Sequence, residues 1–257
     1  MRLRVRKWYL DCSTADEVIA FAYAGEASVG WIRFFYFELL VRGADGGDYH
    51  RQHVSAREVA SLIEAPHALT ISAPMLGVTG QWAGPASDIR ATLADAPTRI
   101  AWRCVRPAAD VSLTLPGGRE LTGRGYAEYL SVDGDSSADL PFRRIRWGRF
   151  IGGPHHAIWI DWAGDASRRW VWADGVPVQA SEVSEHVVVW PRGRVDVDAG
   201  ITLRDGSITD TIGGRIGRWL PRRLVGARET KWSGPARLTG PDGVTHGRAV
   251  HEIVTWP

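Results

Sequence analysis

Residues 112–129, SLTLPGGRELTGRGYAEY, and residues 237–253, RLTGPDGVTHGRAVHEI, carry the reading of the fold. Each runs Leu-Thr, a Pro/Gly turn, then a Gly-Arg pair with a glutamate four residues after the arginine: Gly123, Arg124 and Glu128 in one, Gly247, Arg248 and Glu252 in the other. Successive strand residues point to opposite faces, so alternating segments hinged on Gly or Pro read as β-hairpins. Trp102 precedes the first hairpin and Trp232 the second, and the two arginines stand 124 residues apart. A hairpin that recurs at such a distance marks a duplicated module.

Outward from these hairpins the same alternation fills the chain. RLRVRKWYLD, WIRFFYFELLVRG, RIAWRCV, AIWIDWAGD, RRWVWADG and EHVVVWPRG all read as strands bounded by Gly, Pro or Asp. About a dozen strands with short turns imply a sandwich or barrel, and closure is how such sheets hide their edges. Helix is scarce. The candidates are Ser55–Glu64, where a serine with Glu58 three residues on forms a capping box, and a basic stretch at Arg215–Val225. The most linker-like stretch is SVDGDSSAD, Ser131–Asp139, which puts the division near residue 135. The expected architecture is all-β, with two consecutive antiparallel β-barrel modules at residues 1–134 and 135–257.

With 44% hydrophobic and 23% charged residues among 257, the chain has apolar surface enough for real cores, which excludes disorder. A net charge of +2 spread along the sequence cannot make the one-sided field that phosphate-backbone binding needs, so no nucleic-acid partner is expected. No apolar run approaches the roughly 18–20 residues of a membrane span, and MRLRVRKWYLDC lacks the apolar core of a signal peptide. The expected location is therefore the cytoplasm, where Cys12 and Cys104 are free thiols. RIGRWLPRRL at 215–224 sets Ile216, Trp219, Leu220 and Leu224 among four arginines. It reads as a lid over a barrel mouth, with peripheral contact to anionic lipid as the alternative. Monomer and homodimer both remain open.

No nucleophile elbow, phosphate loop, zinc-protease motif or dinucleotide fingerprint occurs. His155 and His156 are adjacent, so they point to opposite faces of a strand, and no third ligand is evident: no metal or other cofactor is expected. The chemical density lies at residues 144–172, which hold five of the 13 tryptophans. Along Ile158–Trp162, Trp159 and Asp161 share one face, and Ile158, Ile160 and Trp162 the other. If the interior takes the first set, Asp161 is a carboxyl beside an indole, and burial raises its pKa toward that of a general acid. The alternative is that Asp161 opens the DWAGD turn in water. By the same parity Tyr126 and Glu128 share a face, turned either into a cavity or toward an arginine. Glu229 and Glu252 read as polar groups held in structural ion pairs.

At GRGYAEYL, RRIRWGRF, the strand ending in IWID and the closing GRAVHEIV, the chain resembles the AttH-like and carotenoid 1,2-hydratase superfamily. The early KWYLDC fits the same layout. The resemblance implies two lipocalin-like barrels in tandem and hydratase or cyclase chemistry on apolar substrates. It matches Gly125, Tyr126 and Glu128 to the family's glycine-tyrosine-acid pattern, and Trp159 with Asp161 to its aromatic and catalytic aspartate. The family's His-Asn-Trp-Gly element is absent, since Tyr129–Val132 follow Glu128.

The expected function is a cofactor-independent lyase or isomerase that protonates a terpenoid, polyene or phenolic substrate. Asp161 would be the acid, with Tyr126, Glu128 and one of His155 and His156 as orienting or relay groups. Trp147 and Trp159 would wall the cavity, with Tyr129 and Trp232 as further substrate contacts. A lipocalin-like carrier of an apolar ligand is the alternative, since it needs the same cavity without the proton chemistry.

Overall fold

The computed structural model describes residues 2–43, 48–135, 142–164, 167–207 and 226–256. The first set of strands is β1 (Arg2–Ser13), β2 (Ile19–Val29), β3 (Ile32–Arg42), β4 (Tyr49–Ser55), β5 (Ser61–Ala65), β6 (Ala68–Ala73), β7 (Val78–Ala83), β8 (Arg90–Ala94), β9 (Arg99–Thr114) and β10 (Glu120–Asp135). The second is β11 (Arg144–Gly152), β12 (His155–Ala163), β13 (Arg168–Ala173), β14 (Val176–Val178), β15 (Glu182–Val183), β16 (Val187–Trp190), β17 (Gly193–Val197), β18 (Ile201–Ser207), β19 (Arg228–Gly240) and β20 (Gly243–Thr255).

Each set forms one antiparallel sheet. The first is ordered β4-β3-β2-β1-β10-β9-β7-β6-β5 with β8 on β9, and the second is ordered β14-β13-β12-β11-β20-β19-β17-β16-β15 with β18 on β19. Adding ten to every label converts one path into the other, so the duplication holds strand for strand. Among the described residues no ladder joins β4 to β5 or β14 to β15, and each sheet curls around its core as a half-barrel.

The repeated Gly-Arg signature has a packing cause. A Cβ on Gly123 would stand 2.2 Å from the Ser13 carbonyl oxygen, and one on Gly247 2.2 Å from that of Ile151. Ser13 pairs with Arg124 and Ile151 with Arg248, so the two glycines occupy the same place in their modules. There the neighbouring backbones approach too closely for any side chain.

Alternation delivers one side-chain set to each core. Leu10, Cys12, Ala22, Ala24, Phe37, Leu39 and Val111 fill the first, and Phe150, Ala157, Trp159, Val171, Val195 and Ala249 the second. The other face is buried as well along β12, where Ile158, Ile160 and Trp162 are covered. Trp162 meets Phe142 and Trp170 there, at ring separations of 5.1 and 5.0 Å. Burial on both faces makes IWIDW a near-continuous apolar run instead of a clean alternation.

Several expectations need correction. The segment Ser55–Glu64 is not a helix. The Arg57 amide donates to the Ser55 hydroxyl at 3.0 Å, a local turn, and Ser61–Ala65 then pairs with β6 as an edge strand. The ladder to β6 supplies backbone partners that a short isolated helix would have to find within itself. Residues 131–135 are not a linker, because β10 runs on through Asp135 opposite Arg2. Helical structure among the described residues is one 3-10 turn, Pro74–Leu76. The basic stretch 215–225, with its lid and lipid-contact readings, lies outside the described residues. No described helix is long and apolar enough to cross a membrane. Cys12 and Cys104 are buried, and neither is in a disulfide.

Candidate functional site

The inner face of the second module is built in rows across the sheet. Phe150, Gly148 and Arg146 are alternate positions of β11, and Phe150 marks their face as the core side. Gly148 stands opposite Trp159 on β12 and His251 on β20, and His251 stands opposite Trp232 on β19. A Cβ at Gly148 would lie 2.3 Å from the Trp159 ring. The missing side chain therefore lets the indole lie across β11 toward His251, at a ring separation of 5.8 Å. His251 in turn stacks on Trp232 at 4.7 Å and 13°.

The next row is charged. Arg146 faces Asp161, and Asp161 faces Arg169. Arg169 Nε donates to Asp161 Oδ1 at 3.0 Å, and Arg146 Nη1 reaches Oδ2 at 3.4 Å. The same guanidiniums donate to the carbonyls of Ala180 at 3.2 Å and Val183 at 3.4 Å. Parity thus turns Asp161 inward with Trp159. It is a carboxylate shared between two guanidiniums, however, rather than an isolated carboxyl in an apolar cavity.

His251 is fully buried, and among the described residues neither ring nitrogen has a hydrogen-bond partner. Burial first, and the charge of Arg146 second, hold its pKa down at about 3, so the imidazole is neutral near pH 7. Trp159 Nε1 and Arg146 Nε are likewise buried without a partner. Three unpaired polar groups thus occupy adjacent inward positions.

The remaining candidates separate. Trp147 projects from the opposite face of β11, where Lys231 Nζ lies 5.8 Å from its ring, so it does not wall the layer that holds Trp159. Lys231 there bonds Glu252 at 2.6 Å and Glu229 at 3.4 Å, and Arg204 reaches Glu229 at 3.3 Å. The two glutamates are indeed structural ion-pair partners. His155 and His156 sit at the hairpin end of β12. His155 Nδ1 lies 2.8 Å from Asp174 Oδ2, and the His156 amide donates to Asp174 Oδ1 at 2.8 Å. At about 3.3 Å per residue the five residues from His156 to Asp161 span roughly 17 Å, too far for a relay to that carboxylate.

Tyr126, Glu128 and Tyr129 belong to the first module. The Tyr126 hydroxyl donates to Glu128 Oε2 at 2.8 Å, and Trp102 Nε1 donates to the same oxygen at 2.6 Å. Burial, reinforced by the Glu128 charge, pushes the Tyr126 pKa well up, so its proton stays on the ring oxygen. Tyr129 turns to the other face and packs on Trp8 at 4.9 Å. Among the described residues no group of three or more His, Cys, Asp or Glu side chains is placed to hold a metal ion.

The sequence reading missed His251, Arg146 and Arg169. A signal for the first stood in the repeat: Glu252 is preceded by His251 where Glu128 is preceded by Ala127. The registers extend the comparison. Ala127, Leu10 and Ala22 lie side by side in the first sheet as His251, Gly148 and Trp159 do in the second. Likewise Trp8 opposite Ala24 corresponds to Arg146 opposite Asp161. Where the first module places three alanines, the second places an indole, a carboxylate and an imidazole.

No protein-family model matches the chain, and no curated protein matches it in sequence. Solved structures do match in fold. An AttH-like protein from Nitrosomonas europaea superposes with a TM-score of 0.59 at 10% identity, covering 97% of this chain and 92% of that one. Kievitone hydratase from Nectria haematococca superposes with a TM-score of 0.53 at 11% identity, covering 97% and 88%. The chain therefore has the two-module, lipocalin-like fold of these proteins.

Proposed function

We propose that the protein is a hydratase-type lyase or isomerase whose second module takes a small, largely apolar substrate against Trp159 and Trp232. The observation that carries this reading is the contrast between the duplicated cores. Leu10 with three alanines packs this layer of one module, so the carboxylate of Asp161 and the imidazole of His251 at the matching positions of the other are not a packing requirement of the fold. Unpaired polar groups in such a layer cost free energy that a bound partner recovers. The hydratase among the similar folds has the same architecture and adds to the reading by analogy only.

In this site Asp161 positions Arg146 and Arg169 instead of serving as a free acid. Hydration, cyclisation and double-bond migration all begin with one proton moved in a water-poor layer. The pairing of both Asp161 oxygens favours one other reading, a carrier that binds the same ligand and leaves it unchanged. Incubation with apolar enones and polyenes in heavy-oxygen water or deuterium oxide separates the two. An enzyme returns product carrying 18O or new C–D bonds, and the label falls at least about tenfold when Asp161→Asn releases both guanidiniums. A carrier returns bound, unlabelled compound from both proteins, and that result would exclude the lyase reading.

A further inference from the structure

Three donors on one inner surface point to what the ligand carries. Arg146 and Gly148 are alternate inward positions of β11, and Trp159 and His251 are the cross-strand neighbours of Gly148. The Trp159 indole nitrogen lies 2.6 Å from where a Gly148 Cβ would be, so its N–H sits over the same glycine that His251 flanks. Arg146 Nε, Trp159 Nε1 and both nitrogens of His251 are buried and lack partners among the described residues. A neutral imidazole has one N–H and one acceptor nitrogen, whereas the other two groups only donate. The surface therefore offers three N–H donors against a single acceptor.

We propose that this surface is a binding site for one acceptor oxygen, a ring-conjugated carbonyl, on an otherwise apolar aromatic ligand, held by the N–H groups of Arg146, Trp159 and His251. The inference rests on the ligand site proposed above for the second module and names its substrate class. The charges favour such an oxygen. Two guanidiniums share one carboxylate in this layer, so a net positive charge stands beside the donors and stabilises electron density moving onto the carbonyl oxygen. A ligand group that only donates can pair with the single acceptor nitrogen of His251 and leaves all three N–H groups unpaired. A hydrocarbon leaves all three unpaired, each at the cost of burying a polar group. Trp159 and Trp232 supply flat apolar surface for the ring. The first module has no counterpart, with alanine at positions 22 and 127.

The test pairs 2-acetylnaphthalene with 2-ethylnaphthalene, which are near-isosteres with and without the carbonyl, titrated into the full chain. The ketone should bind at least about tenfold more tightly, and its carbonyl stretch should move to lower frequency on binding. His251→Phe keeps a ring against Trp232 and should erase most of that preference while leaving the hydrocarbon affinity within about twofold. Trp159→Phe should do the same. His251→Gln, which restores a donor, should recover part of the preference, and thermal melting checks that each variant folds. Equal binding of both compounds, or a ketone preference untouched by His251→Phe and Trp159→Phe, overturns the carbonyl site but leaves the apolar site standing. Binding of neither compound overturns both readings.

Discussion

Gly148→Ala probes the packing on which the site depends. The new methyl carbon would stand 2.3, 2.4 and 2.6 Å from three atoms of the Trp159 ring, where ordinary contact begins at 3.4 Å. The indole must therefore retreat by about 1 Å, and the buried Phe150, Ala157 and Ala249 of the same core leave it little room. Replacing glycine by alanine inside an unhindered strand would stabilise by about 0.5–1 kcal/mol. Overpacking of this kind costs about 1–3 kcal/mol. The sign of the change thus reports whether the ring lies over β11. The expected net loss is about 1 kcal/mol, a shift of roughly 0.5 M in the urea midpoint of the transition it affects. Trp159→Leu removes the obstructing ring, and in that background Gly148→Ala should stabilise by about 0.5–1 kcal/mol, a coupling of about 2 kcal/mol. Urea unfolding of the four proteins, followed by far-ultraviolet circular dichroism, measures the cycle. If Gly148→Ala is neutral or stabilising in the native background, or equally harmful with and without Trp159, the ring does not occupy that place and the donor surface built around it fails with it.

The same structure sets further outcomes. Lys231 is fully buried against Glu252 at 2.6 Å and Glu229 at 3.4 Å. Lys231→Met takes the ammonium away from both carboxylates and should cost about 3–5 kcal/mol in chemical denaturation, while adding Glu252→Gln returns part of the loss. His251 has its pKa lowered from 6.5 to about 3 by burial, so below 6.5 the unfolded chain binds a proton that the folded chain refuses. Its contribution to stability is complete above that value and falls by about 1.4 kcal/mol per pH unit as the pH drops toward 3. The stability difference between the native protein and His251→Gln should therefore shrink between pH 6.5 and 4.5, and a pH-independent difference would contradict a buried neutral imidazole. Gly123→Ala and Gly247→Ala each drive a methyl to 2.2 Å from a carbonyl oxygen and should each destabilise by at least about 2 kcal/mol in thermal or urea melts. A neutral result at one of them would break the equivalence of the two hairpins.

Much of the architecture was legible because its causes are local. Period-2 alternation and Gly/Pro turns require strands wherever they occur, and the Gly-Arg-x-x-x-Glu hairpin exposed the duplication because a close backbone approach admits only glycine at positions 123 and 247. The segment Ser55–Glu64 shows the limit. A serine followed by a glutamate three residues later serves a turn as well as a helix, and the deciding partner is β6, which pairs with Ser61–Ala65 through contacts that no local pattern encodes. At the site, parity correctly put Trp159 and Asp161 on one face, because alternation is a property of any strand.

Which residues meet across strands was beyond local reading. The pairing of Asp161 with Arg146 and Arg169 depends on the registers of three strands, and a slip of one residue in any of them would have left the carboxylate without a partner. Trp147 and Trp159 look alike in sequence, yet the pleat sends them to opposite faces, and only the position of Phe150 in the core says which face is inside. By itself the sequence determined a duplicated all-β chain with an aromatic concentration in its second half. The tertiary structure decided that His251, Trp159 and Arg146 share one buried surface, because cross-strand neighbours are set by register over β11, β12 and β20, and those strands are brought together by hydrogen-bond ladders spanning about a hundred residues of chain.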